Sequence, residues 1–298
     1  MPHIHLPKRF DRAFAVGVSL NAAFVVVEAV FGVWSGSLAL LADAGHNLGD
    51  VVGLLLAWGA SVLVRRTPTA RHTYGFRRTS VLASMVNAVV LLVAVGGLGV
   101  EAIQRFGQPA PVATGTVMAV ASLGVLINGF TAWMLSAGRT QDINIRGAYL
   151  HMAADAVISV GVVVSALAMG LTGWLWLDPA VTLVIAIVIG ISSWGLLLES
   201  WHLVLDAVPA KVQIAEVQSY LAALPGVRAV HDLHIWAMST SEVALTVHLV
   251  KPDGQIDDAW MGRVNAELRD RFHIHHTAIQ CERGDASHPC AQAPVEAV

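Results

Sequence analysis

Long apolar runs separated by short polar segments make up the chain as far as about residue 200. A helix needs about 20 apolar residues to cross a bilayer, and the runs reach that length. The pattern therefore predicts a bundle of six transmembrane helices, near residues 13–34, 38–64, 79–103, 112–137, 148–171 and 179–198. We expect residues 1–12 to form a cytoplasmic N-terminal tail and residues 13–205 to form the transmembrane domain.

The pattern changes after Leu198, where polar residues become frequent. Two helix candidates and three strand candidates follow, at 212–224, 227–238, 242–250, 256–272 and 276–282. The order α-β-β-α-β predicts a small α+β domain over residues 206–283, with one antiparallel sheet backed by helices. We expect residues 284–298 to form a flexible C-terminal tail.

The composition indicates an integral membrane protein. Hydrophobic residues make up 55% of the chain and charged residues 13%, whereas about 25% charged residues are usual in soluble domains. The net charge of -3 gives no reason to expect a nucleic-acid partner, and none is predicted. The two cysteines, Cys281 and Cys290, are too few for a disulfide framework and indicate a reducing compartment.

Basic residues are distributed unevenly around the apolar runs. Lysine and arginine precede the first run and follow the second and fourth runs, whereas Arg105 is the one basic residue in the segments on the opposite side. By the positive-inside rule, this distribution predicts that both termini face the cytoplasm.

Two apolar runs contain a His-x-x-x-Asp motif. His46 and Asp50 in the second run, like His151 and Asp155 in the fifth, lie one helical turn apart and share a helix face. An aspartate at the bilayer centre costs about 2.5–3.5 kcal/mol on insertion scales, so something must compensate it. Two imidazoles and two carboxylates suit a closed tetrahedral site for Zn²⁺, with Co²⁺ or Ni²⁺ as alternatives. The competing interpretation is a metal-free polar contact between helices, such as His46 to Asp155.

Four further polar residues occupy the first two runs. Asp43 and Asn47 share the polar stripe of the second run, where they would orient the ligands, relay protons or hydrogen-bond another helix. Asn21 and Glu28 are seven residues apart and so share a face of the first run. Two interpretations of this pair remain open: a hydrated access path, or a protonated Glu28 satisfied by a neighbouring helix.

Three segments resemble the cation diffusion facilitator family, specifically its zinc-transporting branch of bacterial type. They are "SLALLADAGHNLGDVVGL", "NIRGAYLHMAADAVISVGVV" and "VHDLHIWAMSTSEVALTVHL". The resemblance covers nearly the whole chain. It implies a homodimer in the inner (plasma) membrane with a ferredoxin-like cytoplasmic domain, exporting Zn²⁺ in exchange for protons by alternating access. His46, Asp50, His151 and Asp155 match the family's transport site, and a histidine at the first position is similar to members that discriminate against Cd²⁺.

The resemblance also implies metal binding outside the membrane. His231, His248, His275 and Glu282 match positions that bind zinc in several relatives. Adjacent strands would bring His231 and His248 together. A solvated histidine-rich surface is the simpler interpretation, because the chain has 13 histidines. Nearby alternative ligands are His234, His273, His276 and Cys281. His288 and Cys290 are weaker candidates.

A weaker metal site is expected in the segment "RHTYGFRR" after the second run. His72 matches a ligand found in this loop in some relatives, but Phe76 stands where a second histidine would be. We therefore expect no high-affinity site there.

Two other classes of function compete with transport. An intramembrane zinc hydrolase needs an open coordination position and a general base, as in HExxH, but no glutamate adjoins His46 or His151. We therefore do not expect an enzyme. A non-transporting metal sensor or scaffold would have no use for ligands at the depth of the lipid. Vectorial metal flux distinguishes these alternatives.

Overall fold

The computed structural model of the chain describes residues 8–136, 143–254, 257–285 and 287–293, with side chains described from residue 19 and, after the first gap, from residue 146. Residues 1–7 and 294–298 of the two expected tails lie outside the described residues. The first six elements are helices. They are α1 Lys8–Ser35, α2 Leu38–Val64, α3 Thr79–Gly107, α4 Thr114–Ser136, α5 Ile143–Thr172 and α6 Leu177–Val204.

The helices have the length and the apolar surface of a membrane bundle. Five of them, α2 to α6, are long and apolar enough to cross a membrane, and the apolar part of α1 over Ser19–Ser35 is shorter. Many large apolar side chains are exposed, among them Val93, Leu126 and Val157. Lipid solvates such a surface, whereas water would not. The prediction of a helical membrane bundle is confirmed.

Apolar side chains from all six helices fill the interior of the bundle. They include Phe24 of α1, Leu40 of α2, Val117 of α4, Val162 of α5 and Ile189 of α6. Gly124 of α4 allows a close approach to α1, because a Cβ atom there would lie only 2.8 Å from Phe24 Cζ. This packing brings α2 and α5, which contain the two motifs, into one core.

A carboxylate at the start of α6 caps α2. Asp178 accepts hydrogen bonds from the backbone N–H groups of Leu38, at 2.8 Å, and Ala39, at 3.3 Å. It also accepts one from the Ser37 hydroxyl. The first N–H groups of a helix have no partner within the helix, so Asp178 satisfies donors that would otherwise be buried and unpaired. The cap holds the start of α2 against α6.

The C-terminal domain has the predicted element order. Its elements are α7 Ile214–Ala222, β1 Ala229–Ala237, β2 Val243–Val250, α8 Asp258–Phe272 and β3 Ile274–Glu282. The strands lie side by side in the order β1-β2-β3. β1 and β2 are antiparallel, but β2 and β3 are parallel. The prediction of one antiparallel sheet is wrong for β3, because the connection through α8 returns the chain to the end of the sheet where β2 began.

The two faces of this sheet have different roles. Leu245, Val247 and Leu249 of β2 are fully buried and pack in one cluster with Leu221 of α7 and Leu268 of α8. Side chains alternate between the faces of a strand. The histidine that lies between Val247 and Leu249 in the sequence therefore points to the face opposite the helices.

Candidate metal sites

Two histidines and two aspartates meet inside the bundle. His46 and Asp50 lie one turn apart on α2, and His151 and Asp155 lie one turn apart on α5. Each side chain offers one ligand atom, and the four atoms all lie within 4.8 Å of one another. His46 Nε2 is 3.2 Å from Asp155 Oδ1, and His151 Nε2 is 3.2 Å from Asp50 Oδ2. The two shortest contacts thus join one helix to the other.

These separations suit a tetrahedral metal ion. With Zn–N and Zn–O bonds of about 2.0–2.2 Å, neighbouring ligand atoms lie about 3.3–3.6 Å apart. The contacts within each helix are 3.8 Å for His46 to Asp50 and 3.6 Å for His151 to Asp155. Asp155 Oδ2 is buried and has no hydrogen-bond partner among the described residues, whereas the buried Asp50 Oδ2 has its shortest ion-pair contact among these residues with His151 Nε2, at 3.2 Å. A cation between the four groups would compensate both oxygens.

The charge and exposure of the cluster also suit a divalent cation. With both carboxylates ionised and both imidazoles neutral, the four groups carry a charge that one divalent ion cancels. The exposed fraction of the side chain is 1% for Asp155, 16% for His46, 25% for Asp50 and 41% for His151. A cavity of about 400 Å³ is lined by Asp50 and His151 together with Asn21 and other residues of the bundle. Of the four candidate ligands, Asp50 and His151 therefore face this cavity.

The four further polar residues singled out in the sequence have different surroundings. Glu28 and Asn47 are fully buried, and Asn47 Nδ2 donates a hydrogen bond to Glu28 Oε2 at 2.9 Å. Asp43, also fully buried, accepts one from the Ser159 hydroxyl of α5 at 3.1 Å. Asn21 lines the cavity instead. Sharing a helix face therefore does not give Asn21 and Glu28 a common environment.

A second group of possible metal ligands lies in the C-terminal domain. The group consists of His231 of β1, His248 of β2, Glu282 of β3 and Cys290. One ligand atom from each residue lies within 4.8 Å of the others. His248 Nδ1 is 2.9 Å from Glu282 Oε1 and 3.4 Å from Cys290 Sγ. His231 Nε2 is 3.5 Å from Glu282 Oε2. His231 Nε2 is buried without a hydrogen-bond partner in the part of the chain that the structure describes.

Strand register brings the first three of these residues together. His231 pairs directly with His248, and Glu282 pairs with Val250, two residues further along β2. Residues two apart on a strand face the same side, so the three side chains converge. His275, the fourth residue implied by the resemblance, is exposed near the start of β3, seven residues from Glu282. That spacing corresponds to about 23 Å of strand, so His275 does not join them within one chain.

An aspartate that the sequence analysis did not single out lies behind His248. Asp232 is in the left-handed backbone region, with φ of 51°, where the register of β1 is interrupted. Its Oδ2 lies 3.6 Å from His248 Nε2, and its Oδ1 lies 2.9 Å from His234 Nε2. A carboxylate at the second nitrogen of a metal-binding imidazole fixes the orientation of the ring. The bulge that gives Asp232 this position has no clear signal in the sequence.

The charge state of Glu282 suits metal binding. Burial acts to raise the pKa of this carboxyl, but the hydrogen bonds from Cys290 and Gln280 and the nearby His231 and His248 outweigh it, so the pKa is lowered. Glu282 is therefore an ionised carboxylate at neutral pH.

The loop between α2 and α3, where a weaker metal site was expected, takes part in an ion pair. His72 is exposed and lies beside Thr69 and the ring of Phe76, and within the described part of the chain it belongs to no group of three or more candidate ligands. Further along the loop, Arg77 forms an ion pair with Glu242. The loop is thus held by charge pairing and not by a described metal cluster.

The helical bundle, the four candidate ligands on two of its helices and the C-terminal α+β domain fit a metal-transporting membrane protein. Residues 14–204 match the cation efflux transmembrane domain, and residues 209–284 match the cytoplasmic domain of cation efflux proteins. The chain therefore belongs to the cation efflux family. It is a divalent-metal efflux protein and not an enzyme.

Similar proteins support this assignment over nearly the full length. The cation efflux system protein CzcD of Alcaligenes sp. (strain CT14) is 35% identical over 98% of this chain and 91% of the relative. Zinc transporter ZitB of Escherichia coli is 38% identical over 93% of this chain and 90% of the relative. The cadmium, cobalt and zinc/H(+)-K(+) antiporter of Bacillus velezensis is 31% identical over 96% of this chain and 93% of the relative.

Proposed function

We propose that this protein exports Zn²⁺ from the cytoplasm in exchange for protons, with His46, Asp50, His151 and Asp155 as the transport site. The observation that supports this most directly is the convergence of the four ligand atoms within 4.8 Å. Nitrogen and oxygen ligands without a thiolate favour Zn²⁺, and Co²⁺, Ni²⁺ and Cd²⁺ are the competing cargoes. Relatives named for zinc and for cadmium, cobalt and zinc agree with this range.

Proton exchange follows from the chemistry of the ligands. Metal binding requires ionised carboxylates and neutral imidazoles, so an arriving cation displaces the protons held by Asp50, Asp155 and the histidines. Moving two charges outward against an inside-negative potential costs about 4.6 kcal/mol per 100 mV. Protons that enter and reload the same four groups offset this cost. The antiporter name of the Bacillus relative supports this coupling.

The proposal includes an assembly and an orientation. We infer a homodimer in the lipid bilayer of the inner (plasma) membrane, with both termini in the cytoplasm. The family matched by residues 209–284 is named for dimer formation, which supports the assembly. The excess of basic residues on one side of the apolar runs supports the orientation. Asn21, on the wall of the cavity, would contact an ion on its way to Asp50 and His151.

The test is zinc flux in proteoliposomes that contain a zinc-sensitive dye. Zinc flux should require an imposed pH gradient in the parent protein and should be absent in the Asp50→Ala, Asp155→Ala double variant. Glu101→Gln is the matched control, because it removes a carboxylate that lies on α3 and pairs with Arg105. Unchanged flux in the double variant would disprove the site. Flux that ignores the pH gradient would disprove proton exchange, and competition by Co²⁺, Ni²⁺ and Cd²⁺ would rank the cargoes.

A further inference from the structure

The segment after β3 returns to the sheet. Gly284 has a positive φ of 71°, and a Cβ atom there would lie 2.7 Å from Val250 Cγ1. Glycine therefore suits this position both for its backbone conformation and for the close approach. The segment then turns twice, through hydrogen bonds from His288 N to Asp285 O and from Ala293 N to Cys290 O. The result is that Cys290 lies over the ligand-bearing face of the sheet.

The three sheet residues form an incomplete metal site. His231, His248 and Glu282 provide two imidazole nitrogens and a carboxylate oxygen, whereas structural zinc sites are almost always four-coordinate. His248 is 7% exposed, and Asp232 lies at its other ring nitrogen. The Nδ1 side of the imidazole faces both Glu282 and the Cys290 thiol.

We propose that Cys290 is the fourth ligand of a metal site in the C-terminal domain, so that a bound metal ion ties the C-terminal tail to the sheet. On binding, the thiol loses its proton to solvent and the sulfur bonds to the metal as a thiolate. The ligand set is then N2OS, softer than the N2O2 set of the membrane cluster. The tail site binds Zn²⁺ and, because of its sulfur, is also suited to Cd²⁺. This inference does not depend on transport through the membrane cluster.

Cys281 provides an internal reference for this proposal. It is the other cysteine of the chain and points to the opposite face, where it packs against the apolar core of the domain. Cys281 is partly buried, which limits the access of alkylating reagents to its thiol. Because Cys281 packs against the core, metal binding at the His248 cluster should leave its surroundings unchanged.

The experiment measures alkylation of both thiols in the full-length, detergent-solubilised protein with an Asp155→Asn background that weakens the membrane cluster. Metal-free and zinc-saturated samples are treated with iodoacetamide and analysed by peptide mass spectrometry. Zinc should slow the modification of Cys290 by at least 10-fold and leave that of Cys281 unchanged. In a His248→Ala variant, the protection of Cys290 should disappear. Equal alkylation of Cys290 with and without zinc, in protein that calorimetry shows to be saturated, would overturn the proposal.

Two further measurements distinguish a bond between Cys290 and the metal ion from metal binding that only makes the tail less accessible to the alkylating reagent. Cd²⁺ should produce a sulfur-to-cadmium charge-transfer absorption that is present in the Cys281→Ser variant and absent in Cys290→Ser. The Cys290→Ser variant should bind zinc at least 10-fold more weakly, since loss of even an outer-shell partner costs 10–100-fold in metal affinity. Zinc affinity unchanged by Cys290→Ser, with no cadmium band from Cys290, would show that the three sheet residues bind metal without the tail.

Discussion

Replacement of Asp155 by asparagine is the sharpest test of the intramembrane cluster. Asp155 is 1% exposed, and its two carboxylate oxygens lie 3.2 Å from His46 Nε2 and 3.6 Å from His151 Nε2. Asparagine keeps the shape of the side chain but removes the charge, which leaves a bound dication incompletely neutralised. Removing one partner of a buried charge pair costs about 3–5 kcal/mol. At about 1.4 kcal/mol per tenfold, zinc affinity should fall by about two to three and a half orders of magnitude.

The same substitution should change the response of protein stability to zinc. A ligand at 100 times its dissociation constant stabilises the folded state by about 2.7 kcal/mol. If the dissociation constant of the variant rises 100-fold, the same zinc concentration contributes only about 0.4 kcal/mol. Metal-free Asp155→Asn should be no less stable than the parent, because it buries one charge fewer.

Calorimetric zinc titration and thermal unfolding in detergent measure both effects. The His248→Ala background should be used throughout, since it removes a ligand of the cluster in the C-terminal domain. Asp50→Asn should weaken binding less than Asp155→Asn, because Asp50 is 25% exposed and solvent screens its charge. Parental zinc affinity in Asp155→Asn, or a larger loss in Asp50→Asn, would refute the assignment of Asp155 as the buried ligand.

Three other predictions concern the fold and the pH dependence of metal binding. Asp178→Ala should lower the free energy of unfolding by about 1–2 kcal/mol because it removes the cap of α2; an unchanged melting curve would contradict this role. Gly124→Ala should cost about 1–3 kcal/mol in the same assay, because the added methyl group would lie 2.8 Å from Phe24 Cζ, and a stability gain would count against that packing. For the C-terminal site, zinc affinity at pH 5.5 should be well below that at pH 7.5, because protons compete with the metal ion for the imidazole nitrogens. The pKa of Glu282 is lowered, so this carboxylate stays ionised between pH 5.5 and pH 7.5. The stability that Glu282 contributes to the folded state is present above the ordinary carboxyl pKa and is lost only in more acidic solution. If calorimetry showed that zinc affinity falls with a midpoint near pH 4, the loss would be due to the carboxylate and would contradict this prediction.

Local properties of the chain were sufficient to predict much of this protein. Apolar run length predicts a membrane helix because a spanning helix must satisfy its own backbone hydrogen bonds. The His-x-x-x-Asp spacing predicts that His46 and Asp50 share one face because the helix repeats every 3.6 residues. The strand and helix candidates of the C-terminal domain likewise follow from periodicity, and each was located to within a few residues.

Contacts between distant parts of the chain depended on the tertiary structure. The spacing of a motif says nothing about which helix lies opposite, so the 3.2 Å approach of His46 to Asp155 required the packed bundle. The parallel pairing of β3 depended on the route through α8.

The same limit explains why the group of candidate ligands in the C-terminal domain was only partly expected from the sequence. His231 and His248 lie in strands, where alternation predicts a shared face. Cys290 lies in a segment without periodicity, and its approach to His248 depends on the turn at Gly284. Asp232 depends on a bulge, and Asp178 caps a helix that begins 140 residues earlier in the chain. Sequence periodicity encodes the direction of a side chain from its own backbone, whereas the partner it meets is determined by how the whole chain packs.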